Sequence, residues 1–162
     1  MRNTNEKNLK FKDDPFYLSY NDSEYIESLD NRKLVVVEEN SRKYTLNNDL
    51  KKELIVYRID NGIIKSNENK CDFGIYSEDA VLILIELKGK DYDHACKQIT
   101  ATIDSLEIDK HVKIYARIVL SKGKTPQLRS SIETVLKKKI ASRGLKSSSI
   151  AMEENLSKFY EV

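Results

Sequence analysis

The chain has few of the residues that cross-link or punctuate a fold: two cysteines, two prolines and two histidines in 162 residues. Cys71 and Cys96 have neither a CxxC spacing nor a secretory context, so we expect reduced thiols and a cytoplasmic protein. The further ligands of a zinc site are absent from the sequence around Cys71, which favours a buried structural thiol. His94 and His111 lack a nearby nucleophilic Ser or Cys pattern, which argues against a catalytic triad.

Long apolar runs are also missing. No stretch reaches the roughly 20 apolar residues of a membrane-spanning helix, so we expect no membrane partner. No repeat or low-complexity linker divides the chain, and its length suits a single domain. The polar segment 1–12 has no signal-peptide pattern. We therefore expect a flexible N-terminal tail over 1–12 and one domain over 13–162.

The formal net charge of +2 hides a basic segment. Residues 1–108 carry 16 Lys and Arg against 21 Asp and Glu, whereas residues 109–146 carry 11 against 2. Such a segment attracts a polyanion through counterion release, although a solvated helix face is the ordinary alternative. The candidate nucleic-acid-binding residues in this segment are Lys122, Lys124, Arg129, Lys137, Lys138 and Lys139.

A short apolar run carries the most informative residues. Residues 81–85 read Val-Leu-Ile-Leu-Ile, which is typical of a buried strand, and Glu86, Leu87 and Lys88 extend it. Because side chains alternate along a strand, Glu86 and Lys88 project from one face and Leu87 from the other. An acid and a base are therefore neighbours.

A hairpin is predicted to bring a second acid to this strand. Asp72 begins the earlier apolar stretch, and Ser77-Glu78-Asp79 supplies turn chemistry between the two strands. Folding back lets Asp72 reach the neighbourhood of Glu86. Two carboxylates suit a hard cation such as Mg²⁺, which keeps several waters.

The remaining elements follow from periodicity and turn signals. In the first part of the chain we predict a short helix over 23–29 capped by Asp22 or Ser23, strands over 33–39 and 53–59, and a hairpin turn at Asn61-Gly62 with a return strand from Ile63. A helix is predicted from about Asp91, followed by a crossover strand over 111–120; the apolar stripe of this helix is Tyr92, Ala95, Cys96, Ile99, Ile103 and Leu106.

A last helix is predicted from Thr125-Pro126, followed by edge strands over 149–152 and 158–161; the apolar stripe of this helix is Leu128, Ile132, Val135, Leu136 and Ile140.

Asp72, the Glu-x-Lys of residues 86–88 and Gln98 on the following helix together resemble the PD-(D/E)XK nuclease superfamily. Cys71 stands where the proline of the family's name would be, a position that varies. The resemblance covers about 53–120 as topology. It implies an α/β fold with a mixed central β-sheet, whose βββαβ restriction-endonuclease-like core is flanked by helices.

The resemblance also implies roles. Mg²⁺, or Mn²⁺ as a substitute, would be bound by Asp72, Glu86 and the Leu87 carbonyl. Lys88 would position the attacking water and stabilise phosphorane charge, because the two carboxylates favour its charged form. Gln98 would position the water or Lys88, unless it is an ordinary surface residue. For Asp72, Glu86 and Lys88 together, the structural alternative is a salt bridge at a strand end.

An additional upstream acid is left open among Glu24, Glu27, Glu53 and Asp60, of which Asp60 also fits ordinary turn chemistry before Asn-Gly. We expect a metal-dependent nuclease, with DNA favoured over RNA, in prokaryotic or phage defence or DNA processing. Cleavage of both strands would call for a homodimer or repeated action. The alternative is a noncatalytic nucleic-acid-binding protein or an accessory subunit of a larger defence or mobile-element complex.

Overall fold

The computed structural model describes residues 10–88, 91–120, 131–142, 150–153 and 158–161. In chain order the elements are α1 (Pro15–Ser19), β1 (Ile26–Asp30), β2 (Leu34–Glu39), β3 (Arg42–Asn47), β4 (Leu54–Arg58), β5 (Phe73–Ser77), β6 (Val81–Lys88), α2 (Tyr92–Ser105), β7 (Lys113–Leu120), α3 (Ser131–Ala141), β8 (Ile150–Glu153) and β9 (Lys158–Glu161).

The larger sheet has the strand order β1-β4-β5-β6-β7-β8. Neighbours from β1 to β6 pair antiparallel, whereas β6, β7 and β8 pair parallel. α2 follows β6 and precedes β7, so it forms the crossover that parallel neighbours require. The fold is therefore α/β with a mixed central sheet, as predicted.

A smaller sheet covers one face of the larger one. It has the order β2-β3-β9, with β2 antiparallel and β9 parallel to β3. Val35, Val37 and Tyr44 from this sheet pack against Val56 and Ile83 of the larger sheet. The helices α2 and α3 cover the opposite face, so β4, β5 and β6 are buried on both sides.

Strand β6 shows the predicted alternation of faces. Leu82 and Leu84 belong to the core under the helices, whereas Ile83, Ile85 and Leu87 belong to the core between the sheets. α2 begins as predicted, because the Asp91 Oδ1 atom accepts a hydrogen bond from the His94 backbone N–H at 2.9 Å. Tyr92 of its predicted apolar stripe is half-buried, and the other members, Ala95, Cys96, Ile99, Ile103 and Leu106, are buried.

The helix predicted over 23–29 is wrong, because this segment contains β1. The Asp22 side chain accepts a hydrogen bond from the Glu24 backbone N–H at 2.9 Å, which closes a turn rather than caps a helix. Residues from Ile26 to Asp30 then pair with β4. A short isolated helix is only marginally stable, and the free energy gained by pairing with a buried strand is larger.

The hairpin predicted at Asn61-Gly62 is also wrong in detail. Ile63 N donates to Arg58 O at 3.1 Å and Ile64 N to Ile59 O at 2.9 Å, which folds the segment into a compact turn. A Cβ at Gly62 would overlap the Arg58 carbonyl oxygen. The return strand β5 begins only at Phe73, although its antiparallel pairing with β4 is as expected.

Helix α1 and strand β3 were not predicted from the pattern. The Asp14 side chain caps α1 by accepting hydrogen bonds from Phe16 N at 2.9 Å and Tyr17 N at 3.2 Å, and it also accepts one from Tyr76 Oη at 2.7 Å. Phe11 is 1% exposed and packs on Tyr76. Ordered packing therefore begins inside the predicted tail, of which residues 1–9 lie outside the described residues.

The C-terminal elements agree with prediction in part. Leu136 and Ile140 of α3 are buried, but Val135 from the predicted stripe is 51% exposed. The predicted start at Thr125-Pro126 lies outside the described residues. β8 and β9 match the predicted edge strands, each at the edge of a different sheet. In the described part of the chain, no helix is long and apolar enough to cross a membrane.

Candidate functional site

Asp72 lies immediately before β5, where the chain enters the centre of the larger sheet. Its backbone N–H donates to the Ile85 carbonyl at 3.1 Å, and its carbonyl accepts from Ile59 N at 3.0 Å. These bonds to the two flanking strands hold the Asp72 backbone between β4 and β6. The side chain is half-buried.

Asp72 and Glu86 lie directly beyond the last pair of the antiparallel β5–β6 register. The last paired residues of β5 and β6 are Phe73 and Ile85, so the next position on each strand is Asp72 and Glu86. The Asp72 Oδ2 atom accepts a hydrogen bond from the Leu87 backbone N–H at 2.8 Å. The two acids therefore occupy neighbouring positions on paired strands, and the approach of their carboxyl groups stays a prediction.

Residues 86–88 form the end of β6 that extends beyond β5 and pairs with β7. Glu86 is 2% exposed, so its carboxyl group is almost fully removed from solvent. The Leu87 side chain is buried between the sheets, which leaves its main chain to face Asp72. The backbone of Lys88 is described at the last position of β6, and the details of its side chain lie outside the description.

The surroundings of Asp72 are electrostatically unfavourable for a carboxylate. Burial, together with the nearby Glu39 and Asp60 carboxyl groups, raises the pKa of Asp72 to about 6, despite the opposing hydrogen bond from the Leu87 N–H. Glu39 lies at the end of β2 and forms a side-chain hydrogen bond with Asp72. The prediction missed Glu39, because only the packing of the smaller sheet brings β2 to this point.

Of the four acids proposed as an additional ligand, only Asp60 is brought to Asp72 by the described contacts. Asp60 also forms an ion pair with Lys70, with 3.5 Å between Oδ1 and Nζ. The other three acids have partners elsewhere: Glu24 pairs with Lys65, Glu27 with Arg58, and Glu53 accepts a hydrogen bond from the Lys10 N–H. The turn segment thus contributes an acid to the site.

Gln98 lies on α2, as predicted, and faces the main chain before β5. Its Nε2 atom donates to the Lys70 carbonyl at 3.0 Å, two residues before Asp72. This amide contacts the segment that carries the acid. A direct contact with water or Lys88 stays a prediction.

Cys71 is a buried thiol next to the acids. It is fully buried, and burial together with the charges of Glu86 and Asp72 raises the pKa of Cys71 well above its ordinary value, although a hydrogen bond with Thr102 opposes this. Zinc binding requires a thiolate, so these surroundings disfavour a zinc ligand. Both Cys71 and Cys96 are free.

The chemistry of this site suits a hard cation with few protein ligands. Across residues 10–88, 91–120, 131–142, 150–153 and 158–161, no group of three or more His, Cys, Asp or Glu side chains is arranged to hold a metal. Asp72 and Glu86 offer two carboxylates. Mg²⁺ bound through one or two carboxylates, with waters and substrate phosphate at the other positions, fits this set.

The basic residues divide into two groups. Lys122, Lys124 and Arg129 lie outside the described residues. On α3, Lys137 pairs with Glu133 and Lys139 pairs with Asp104, near the end of α2, while Lys138 is exposed.

Asp72 lies beside the second half of α2, where Gln98 and Thr102 contact Lys70 and Cys71. Tyr92, in the first turn of α2, contacts Glu133 in the first turn of α3. The two helices therefore run in the same direction, and Lys139 of α3 lies beside the end of α2, where it pairs with Asp104.

A pocket of about 420 Å³ opens between the sheets at the opposite end of β6, where Val81, Ile83 and Tyr115 line it. It is separate from the carboxylates. No family model, curated protein or solved structure matches this chain.

Proposed function

We propose that the chain is a metal-dependent nuclease that hydrolyses phosphodiester bonds, with DNA as the favoured substrate. The observation that carries the proposal is the pairing of β5 with β6, in which Asp72 and Glu86 lie directly beyond the last registered pair and the Leu87 N–H donates to the Asp72 carboxylate. Lys88 occupies the strand position two residues beyond Glu86. Two carboxylates and a lysine are the residue types that metal-assisted phosphoryl chemistry uses.

The order of elements supports a restriction-endonuclease-like core. β4, β5 and β6 are antiparallel neighbours, α2 crosses over, and β7 returns parallel to β6. This is the βββαβ order that the resemblance to the PD-(D/E)XK superfamily implies. β1, β8 and the smaller sheet are additions around that order.

Each residue of the proposed site has a separate role. Asp72, Glu86 and the Leu87 carbonyl would hold Mg²⁺ or Mn²⁺, which when bound polarises a phosphate and lowers the pKa of a bound water. The Leu87 N–H orients the Asp72 carboxylate. Lys88 supplies positive charge to the phosphate oxygens.

A bound metal would also reduce the electrostatic repulsion between carboxylates in the site. Asp72 lies beside the Glu39 and Asp60 carboxyl groups, and Glu86 is almost fully buried. Carboxylates crowded together in a partly buried place repel one another. A divalent cation held by Asp72 and Glu86 would relieve this repulsion and would thereby stabilise both the site and the fold.

Two free, buried cysteines support the proposal of a reducing, cytoplasmic environment. The alternative function is a noncatalytic nucleic-acid-binding or accessory subunit that keeps this fold as a scaffold. It predicts binding of nucleic acid without Mg²⁺-dependent cleavage.

The test is cleavage of plasmid, linear duplex, single-stranded and branched DNA, and of RNA, with Mg²⁺, Mn²⁺ or EDTA. We expect cleavage with the metals and none with EDTA. Glu86→Gln keeps the shape of the side chain and removes its charge. We expect its cleavage rate to fall by about a thousandfold, because a lost metal interaction is worth several kcal/mol in the transition state.

The matched control is Asp79→Asn. Asp79 belongs to the turn between β5 and β6, at the opposite end of the same hairpin, where it pairs with Lys52. This variant removes one carboxylate without touching the site and should cleave at the wild-type rate. Wild-type cleavage by Glu86→Gln would remove Glu86 from the site, and binding without cleavage by the wild-type protein would favour the scaffold alternative.

A further inference from the structure

Two polar side chains of α2, one helical turn apart, hold a single peptide group next to the site. The Gln98 Nε2 atom donates to the Lys70 carbonyl at 3.0 Å, and the Cys71 N–H donates to Thr102 Oγ1 at 2.9 Å. The Lys70 carbonyl and the Cys71 N–H belong to the same peptide bond. Both polar groups of that peptide are therefore bound by α2.

The Thr102 hydroxyl group takes part in two hydrogen bonds. Thr102 is fully buried, and its hydroxyl donates to the Gln98 carbonyl at 2.8 Å while it accepts from Cys71. The donor and acceptor capacity of the hydroxyl are both used, so its orientation is defined. A threonine in the buried face of a helix is less favourable than an apolar residue unless its hydroxyl is bonded in this way.

The next peptide group transmits the constraint to the acid. The Asp72 N–H donates to the Ile85 carbonyl, and the Asp72 carboxylate accepts from the Leu87 N–H. One side of the Cys71 residue is thus bound to α2 and the other side to β6. A displacement of the Lys70–Cys71 peptide would move Asp72 relative to Leu87.

We propose that Thr102 and Gln98 are positioning residues that lock the Lys70–Cys71 peptide and thereby align the Asp72 carboxylate with Leu87 and Glu86. No sequence pattern indicated this role for Thr102. Gln98 acts through the main chain of Lys70. The functional consequence of this alignment rests on the proposed nuclease function, whereas the alignment itself can be measured without metal.

Thr102→Val keeps the shape and removes the hydroxyl, which leaves the buried Cys71 N–H without its acceptor. We expect faster hydrogen exchange at the Cys71 amide and, through Asp72, at the Leu87 amide. We also expect Mg²⁺ affinity by calorimetry and the cleavage rate to fall by about 10- to 100-fold, as for other groups that orient metal ligands. Thr102→Ser restores the hydroxyl and should restore all four quantities.

Thr100→Val is the matched control on the same helix. The Thr100 hydroxyl is buried and has no hydrogen-bond partner, so the identical substitution removes no hydrogen bond. We expect wild-type exchange, affinity and cleavage. Gln98→Met is the second variant, because it removes the amide donor from a half-buried position and is easier to accommodate than a change at Thr102. It should accelerate exchange at Leu87 in the same direction.

The outcomes separate this inference from the proposed function. Unchanged exchange at the Leu87 amide in Thr102→Val and Gln98→Met would overturn the alignment, whatever the activity of the protein. Accelerated exchange with wild-type Mg²⁺ affinity and cleavage would overturn its functional role. A wild-type protein that neither binds Mg²⁺ nor cleaves would refute the proposed function, while the exchange measurements would still decide the alignment.

Discussion

At the scale of single residues, the site depends on a carboxyl group whose pKa has been moved toward neutrality. Asp72 titrates near pH 6 because burial and the neighbouring Glu39 and Asp60 carboxyl groups disfavour its charged form. In the unfolded chain its pKa would be close to 3.9. Folding therefore favours the protonated form of Asp72 when no metal is present.

This shift predicts a pH dependence of stability in EDTA. A raised folded-state pKa means that the contribution of Asp72 is fully present below about pH 4 and is lost as the pH rises through about 6. Asp72→Asn cannot ionise, so it escapes this loss. We expect its free energy of unfolding to gain on the order of 2 kcal/mol over the wild type between pH 4 and pH 8.

Urea unfolding of both proteins at pH 4, 6 and 8 measures this difference. A difference that stays constant across the three pH values would show that the surroundings of Asp72 do not disfavour its charge. The same variant should lose Mg²⁺ binding, because it keeps the hydrogen-bond acceptor for the Leu87 N–H and removes the anionic ligand.

At the scale of elements, α3 contributes a basic surface that is partly neutralised within the protein. Lys137 and Lys139 have acidic partners on α3 and α2, and Lys138 is exposed. The run lies beside the end of α2, where Lys139 pairs with Asp104.

Changing Lys137, Lys138 and Lys139 together to Ala should weaken binding to a short duplex across sequences. The slope of log affinity against log salt should flatten by up to about one unit for each phosphate that no longer has a lysine beside it. Cleavage at saturating protein should persist, because the metal site is intact. The measurement is a binding titration across a salt series for the wild type and the triple variant.

The control variant carries Ala at Lys51, Lys110 and Lys113, which are exposed near the starts of β4 and β7. It removes the same charge from the end of the molecule opposite the carboxylates. An equal loss of salt dependence in both variants would mean that net charge alone drives binding. An unchanged slope in the α3 variant would leave α3 as a solvated face and direct attention to Lys122, Lys124 and Arg129.

At the scale of the whole molecule, metal binding should be visible as stability. A ligand that binds only the folded state at a hundred times its dissociation constant stabilises by about 2.7 kcal/mol. For a domain of this size, such a change raises Tm by about 5 to 10 °C. We expect this increase for the wild-type protein in Mg²⁺ above pH 7, where Asp72 is ionised.

Thermal unfolding with Mg²⁺, EDTA or KCl at matched ionic strength measures this increase in Tm. Glu86→Gln should lose the Mg²⁺ increment, and Asp79→Asn should keep it. An equal increment from KCl would identify a general salt effect in place of a metal site.

Elements with local signals can be predicted from the amino-acid sequence alone. The apolar run of 81–85 defines β6, the alternation of Leu84 and Ile85 defines its two faces, and Asp91 defines the start of α2. The hairpin of β5 and β6, with Asp72 and Glu86 directly beyond its last registered pair, follows from the same local patterns. These features need only the period of the strand or helix and the chemistry of the next few residues.

Only the tertiary structure decided the features that depend on distant segments. The segment 26–30 forms β1 because it pairs with β4. Glu39 reaches Asp72 because the smaller sheet packs on the larger one. Thr102 binds the Cys71 peptide across the core. The pKa of Asp72 depends on burial and on these same neighbours. Backbone pairing, desolvation and charge proximity are properties of the assembled fold, and no local pattern in the chain contains them.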